Sequence, residues 1–333
     1  MHSVRSWSLV AIAIAFIHPA FAWGPDGHRT VGTLAGKLIA GSNAATQVQA
    51  ILGNESLADV AVWADCAKGV NQSTFKYEHP GVYPECKIFE TPAGEAAMED
   101  FVRRNATNCP LKPGEEICHK QYHYTDVAIQ HQTYLRGFVG TRDDDIVAAV
   151  IATAHVLKGD PAPAPFNIKD KAEALRLLVH YVGDLHQPLH VGAVYLDARG
   201  NEVNPDTGTF DPGTATRGGN SIIVKSTKKN LHATWDAVPV SLTPSHVKAA
   251  WVTSAHAIPP TSGSDFDWPK RWASQSVAQA NLAMSTLRFG PQTGTHWTVV
   301  LPAGYSAKMS SIKKLQLTRG GARLAQLLQD IWP

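Results

Sequence analysis

Apolar residues recur every three to four positions along most of this chain, and that spacing predicts helices rather than strands. The predicted helices lie near residues 30–39, 44–52, 57–67, 144–158, 169–185, 246–255, 268–287 and 306–331. Only 221–225 and 298–301 read as strands, while 159–165 and 204–219, rich in Gly, Pro and Asp, read as loops. Neither an internal repeat nor a linker interrupts the pattern. The expectation is therefore a single all-α domain over residues 23–333.

The first 22 residues follow a different rule. His2 and Arg5 precede an apolar run from Leu9 to Ile17, and Ala20-Phe21-Ala22 forms an A-x-A cleavage site. The run is too short to span a bilayer comfortably, so residues 1–22 read as a signal peptide and Trp23 as the first residue of a secreted or periplasmic protein. Export permits disulfides. All four cysteines, Cys66, Cys86, Cys109 and Cys118, fall in one segment, an insertion over about 66–118. Three pairings are possible, and the sequential ones, Cys66 with Cys86 and Cys109 with Cys118, are expected. Asn54, Asn71 and Asn105 occupy N-x-[ST] sequons.

Composition narrows the function classes. With 44% hydrophobic residues in 333, the chain has ample material for a core, which excludes disorder. A net charge of +2 argues against a polybasic nucleic-acid or membrane binder, so an anionic partner must be attracted locally.

The chemistry concentrates in Val179-His180-Tyr181-Val182-Gly183-Asp184-Leu185-His186-Gln187-Pro188-Leu189-His190. His180 and Asp184 share a helix face one turn apart, and Pro188 ends or kinks the helix so that His190 can turn back toward them. His186 lies well round the helix; it reads as a hydrogen-bonded core histidine or as a residue that orients a ligand. Elsewhere, Trp23 and His28 stand at the mature N-terminus, where a free amine with its own carbonyl can chelate a metal. Asp65 precedes Lys68 by three residues, His123 follows the cysteine segment, and His232 and Asp236 form a second i, i+4 pair. Each pair alone is commonly just a hydrogen bond. Together the nine residues are too many for one zinc ion and suit three.

In order along the chain, the initial mature Trp, W-A-D, H-x-x-D, H-x3-D-x-H-Q-P-x-H, R-G-G-N and L-H-x-x-W-D resemble the zinc-dependent S1/P1 nucleases, which are related in fold to zinc phospholipase C. The resemblance spans essentially the whole mature chain. It implies a helical domain with three Zn²⁺: one held by Asp65, His123, His180 and Asp184, a second by His190, His232 and Asp236, and a third by the amine and carbonyl of Trp23 with His28 and a bridging Asp184. It further implies that Asp65 orients or deprotonates the attacking water and that Lys68 stands near the scissile phosphate. Tyr124, Asp126, Gly218 and Asn220 would form a base pocket, with Tyr124 where many members carry Phe. The cysteine insertion is longer than the fungal pattern. The implied partners are single-stranded RNA and DNA and 3′-nucleotides, with no stable membrane association and a monomer sufficient for catalysis. Two other readings are a zinc phospholipase C acting on lipid headgroups and a non-enzymatic zinc-binding protein.

Overall fold

The computed structural model describes residues 23–111 and 116–333. The leader and its cleavage after Ala22 lie outside the described residues. Twelve α-helices stand among those described: α1 Pro25–Leu38, α2 Asn43–Leu52, α3 Leu57–Val60, α4 Trp63–Ala67, α5 Pro92–Arg104, α6 Cys118–Gln121, α7 Ile146–Lys158, α8 Lys171–Leu185, α9 Leu231–Asp236, α10 Ala249–His256, α11 Trp268–Met284 and α12 Tyr305–Ile331. The architecture is mostly helical, as the apolar periodicity predicts.

Local chemistry sets the boundaries. The Asp170 side chain accepts the Glu173 N–H at the start of α8, Asp145 accepts from Val147 and Ala148 at the start of α7, and left-handed Gly159 closes α7. Two predicted elements differ and one helix is unforeseen. The first helix begins at Pro25 rather than near residue 30, because proline in the first turn gives up no hydrogen bond; the earlier start puts His28 on the helix. The predicted helix over 57–67 breaks into α3 and α4, and the Ala61 carbonyl at the break accepts from His180 Nδ1 at 2.7 Å. Inside the cysteine insertion, α5 has no counterpart in the prediction. It is capped by Thr91 and buries only Met98, Phe101 and Val102, an apolar stripe too sparse to stand out in the sequence.

The strands are short and pair in twos. Ile222–Val224 runs parallel to Trp297–Val299, so the two predicted strands find each other. Val127–Ala128 pairs with Gly192–Ala193, and Tyr195–Leu196 with Glu202–Val203. Cys66 is bonded to Cys86 and Cys109 to Cys118, the sequential pairing expected. Of the sequons, Asn105 is buried. Its amide donates to Phe101 O and Asn167 O and accepts from the Asn167 N–H, which makes it a structural tie between α5 and the chain before α8.

The main core gathers Val31 and Leu34 of α1, Leu178 and Val182 of α8, and Leu324 and Leu328 of α12. A second cluster, around Leu189, Leu231, Trp235, Met284, Trp297 and Tyr305, lies under the short strands. Helices α1 and α12 approach closely through Gly320 and Gly321. A Cβ on Gly321 would lie 2.4 Å from Leu34 Cβ, closer than van der Waals contact allows. Gly321→Ala should therefore cost about 1–3 kcal/mol through overpacking. The expected result is a lower thermal midpoint with an unchanged circular dichroism spectrum; an unchanged midpoint would mean that the helices can part freely.

Candidate metal centre

Helix α8 supplies the centre of the site. His180 and Asp184 lie on one buried face of it, and Asp184 Oδ2 stands 3.0 Å from His180 Nε2 and 2.9 Å from His123 Nδ1. Its other oxygen, Oδ1, is 3.2 Å from His28 Nε2 and 3.8 Å from His190 Nδ1. One carboxylate thus faces imidazoles from four parts of the chain. Helix α8 ends at Leu185, and the Pro188–His190 3-10 turn carries His190 back toward Asp184, as the proline predicted.

Three groups of side chains each lie close enough to hold an ion: His28, His180 and Asp184; Asp65, His123 and His180; and His190, His232 and Asp236. All are buried. His28 reaches the centre because residue 183 is glycine: a Cβ there would lie 2.6 Å from His28 Nδ1. The His28 ring stacks on that of His180 with centroids 3.9 Å apart. Asp65, on α4, is 3.5 Å from His180 Nε2 and pairs with Lys68 at 2.8 Å. Trp23 is fully buried, and the following amide, Gly24 N–H, donates to Asp236 O at 2.9 Å.

The donor chemistry fits metal ions. His190 Nδ1 lies 2.7 Å from His123 O, and His232 Nδ1 lies 2.9 Å from Gly218 O. With a hydrogen on each Nδ1, both Nε2 atoms carry lone pairs, yet they face each other at 3.0 Å. Two such acceptors repel unless a cation lies between them. Both ring nitrogens of His28, Asp184 Oδ1 and Asp236 Oδ2 are likewise buried without completed hydrogen bonds. Gln187 Nε2 donates to the other Asp236 oxygen at 2.7 Å and so aims Oδ2 toward His232, 3.7 Å away.

Electrostatics favour unprotonated nitrogens on His28, His123 and His232. Burial lowers His28 to about 4, with His180 adding to the effect, and lowers His123 and His232 to about 3, assisted by Lys68 and His190 respectively. Burial pushes the Asp184 carboxyl up, but His180, His190 and His28 outweigh it and hold the group well below the usual carboxylate range. Asp65 is also held low, Lys68 and His180 overcoming its burial. Asp236 differs, since burial raises it well above the ordinary value despite the Gln187 hydrogen bond.

Beside this cluster, the 217–220 turn meets the segment that follows His123. Arg217, Gly218 and Gly219 all take positive φ, and a Cβ at Gly218 would collide with Leu189 O at 2.2 Å. The Asp126 carboxyl accepts the Gly218 N–H near Arg217, and burial raises it to about 6 against both. Asn220 lies on the same turn, its amide donating to Arg217 O at 3.0 Å and accepting from Asn230 Nδ2 at 3.4 Å. Tyr124, half-buried, stands in the chain between His123 and Asp126. The fold thus brings Asp126 and Gly218 into contact and puts Asn220 on the same turn. His186 stays out of the centre, held by Val182 O at 2.7 Å and Arg323 Nη1 at 2.8 Å, which makes it the core histidine of the two readings.

An S1/P1 Nuclease family model matches residues 23–333. The chain belongs to the S1/P1 nuclease family. It is 26% identical to Nuclease P1 of Penicillium citrinum over 93% of this chain and 97% of that protein. It is 28% identical to Nuclease S1 of Aspergillus oryzae over 70% of this chain and 59% of that one, and 23% identical to Endonuclease 5 of Arabidopsis thaliana over 99% and 97%. Membership makes this chain a nuclease-family hydrolase whose substrates are nucleic acids. Among the described residues, no helix is long and apolar enough to cross a membrane.

Sequence reasoning missed Gln187, Gly183 and Arg217. The first two sit inside the histidine-rich stretch, where a glycine preceding a helical aspartate signals close approach by another group. Arg217 meets Asp126 only through the fold. The low values of His28, His123 and His232 give a pH test. The unfolded chain, with imidazoles near 6.5, binds more protons than the folded chain between pH 6.5 and about 4 to 3, so their contribution is complete above 6.5 and is lost on acidification. His180, raised by Asp184 and Asp65 over the effect of burial, opposes this, as do Asp236 and Asp126, which burial raises; the depressed Asp65 and Asp184 add to the loss only below about pH 4, where unfolded carboxylates take up protons. The thermal midpoint of chelator-treated protein should fall as pH drops from about 7 to 4, the lowered rings outweighing the opposed groups; imidazole NMR signals of His28, His123 and His232 that titrate near 6.5 would contradict their neutral state.

Proposed function

We propose that this chain is an exported three-zinc nuclease that cleaves single-stranded RNA and DNA to 5′-phosphate products and also removes the phosphate of 3′-nucleotides. The observation that carries the reading is Asp184, a buried carboxylate whose two oxygens face His28, His123, His180 and His190, with the Asp126–Gly218 contact alongside. In this reading Asp65, His123, His180 and Asp184 hold one ion, and His190, His232 and Asp236 a second. The amine and carbonyl of Trp23, His28 and the shared Asp184 hold the third. The zinc dependence of the family and the three side-chain groups support that assignment. Two disulfides and the apolar leader support export.

When bound, the ions supply Lewis acidity and positive charge at the phosphate. The chain does the positioning. Asp65, held ionised by Lys68 and His180, orients or deprotonates the attacking water. Lys68, whose ammonium Asp65 and Asp184 stabilise over the cost of burial, stands by the phosphate and the departing 3′ oxygen. A base stacked on Tyr124 and hydrogen-bonded by Asp126 and Asn220 must have left its Watson-Crick partner, which selects single strands. Stacking is worth roughly 1–3 kcal/mol per base and accepts any base, so sequence preference should be broad.

His180→Ala should lose zinc and lower hydrolysis of a single-stranded oligonucleotide by roughly 100-fold or more, beyond the usual effect of residues that merely support ligands. Full activity at normal zinc content in that variant would refute the assignment. Wild-type protein should hydrolyse the oligonucleotide far faster than a phosphatidylcholine dispersion; the reverse preference would favour a phospholipase. Elemental analysis should find about three zinc ions per chain when Trp23 is the first residue and about two when one extra residue precedes it. One ion or none in both forms would remove the basis of the three-ion centre.

A further inference from the structure

Helix α12 contributes none of the nine candidate ligands, yet it reaches the segment that carries two of them. Lys313 is 1% exposed, and its Nζ donates to Thr234 O at 2.9 Å and Ala237 O at 2.5 Å. These carbonyls lie at the C-terminal end of α9, where no further turn exists to satisfy them. The ammonium also stands 5.7 Å from the centroid of the Trp235 ring, and Trp235 Nε1 donates to Tyr305 Oη, again on α12, at 3.0 Å. The indole between His232 and Asp236 is thus gripped on its face and at its edge by one neighbouring helix.

Such a grip has a physical need behind it. With six residues, α9 is far below the roughly 12–15 at which an isolated helix becomes even marginal in water. Asn230 caps its first turn through the Ala233 N–H. At the other end a carboxylate, Asp236, sits where the helix dipole disfavours negative charge, within the field of Asp184. A buried cation on the terminal carbonyls offsets both problems. The Asp236 carbonyl meanwhile accepts the Gly24 N–H, so whatever fixes the end of α9 also fixes the chain beside Trp23.

We propose that Lys313 is a positioning residue for the metal centre, holding the end of α9 so that His232, Asp236 and, through Gly24, the mature N-terminus stay in register for ion binding. The inference rests on the three-ion reading above. It implies that the His190, His232 and Asp236 group and the Trp23 site depend on Lys313, whereas the Asp65, His123 and His180 group, built on α4, α8 and the chain after α6, does not.

The test compares wild type with Lys313→Met, which keeps the aliphatic stem but cannot donate, and Lys313→Arg, which keeps charge and donors. Zinc per chain after dialysis, zinc affinity by competition with a chelator, and the visible spectrum of the cobalt-substituted protein are read alongside circular dichroism of the metal-free forms. Lys313→Met should fold, hold one or two fewer ions, weaken the affected sites by roughly tenfold or more and lose part of the cobalt spectrum, with Lys313→Arg recovering most of the loss. If Lys313→Met does not fold, Lys313→Gln, which is neutral but keeps an amide NH2, takes its place with the same expectation. Unchanged zinc content, affinity and cobalt spectrum in a folded neutral variant would overturn the proposal, as would uniform loss at all three groups. Absence of zinc from the wild type would instead overturn the metal reading itself, so the two failures are distinguishable.

Discussion

Everything near the centre of this molecule depends on one constraint: carboxylates and imidazoles buried together must be partnered or they destabilise the fold. Asp184 meets it by facing four histidines, and Asp65 by pairing with Lys68. Asp236, in the field of Asp184 and with only one oxygen hydrogen-bonded, meets it least. Divalent ions would complete what these side chains leave unfinished. The low values of His28, His123 and His232 express the same fact, since a ring kept neutral by burial keeps a lone pair ready for a metal.

The histidines are aimed by the places where the backbone stops being regular. His180 takes the carbonyl exposed by the break between α3 and α4, His190 the carbonyl of His123 just after α6, and His232 the carbonyl of left-handed Gly218. Each of those carbonyls lacks a partner along its own chain, and each imidazole needs a hydrogen-bond acceptor on one nitrogen to free the other. Irregular backbone is therefore part of the site. The third of these bonds also ties the pocket turn to the metal cluster, because Gly218 offers its carbonyl to His232 and its N–H to Asp126. In the proposed reading, substrate binding and ion binding would be coupled through the peptide units on either side of this one glycine.

The cysteine insertion is fastened at both of its approaches to the centre. Cys66, bonded to Cys86, directly follows Asp65 in α4; Cys118, bonded to Cys109, begins α6, which leads into His123. A long segment that would otherwise pull on two site residues is closed off close to each. Asn105 adds a third attachment by bonding the end of α5 to the chain before α8.

Much of this was legible in the residues themselves. Helical periodicity located most of the long helices, and the i, i+4 spacing of His180 with Asp184 and of His232 with Asp236 put each pair on one face, because such relations are local and every turn of helix repeats them. Pro188 foretold the turn that returns His190, and the expectation of export to an oxidising compartment foretold the disulfides. What the sequence left open depends on contacts between distant segments. His180 belongs to two groups at once only because α1 crosses α8 at Gly183 and admits His28. Arg217 meets Asp126, Gln187 aims Asp236 and Lys313 closes α9 because separate elements pack together there, and no spacing along one element records that. The chain itself determined which chemical groups are present and how each helix faces, since those follow from neighbours in sequence. Tertiary packing alone decided which of them converge, since that depends on where burial forces their unsatisfied atoms together.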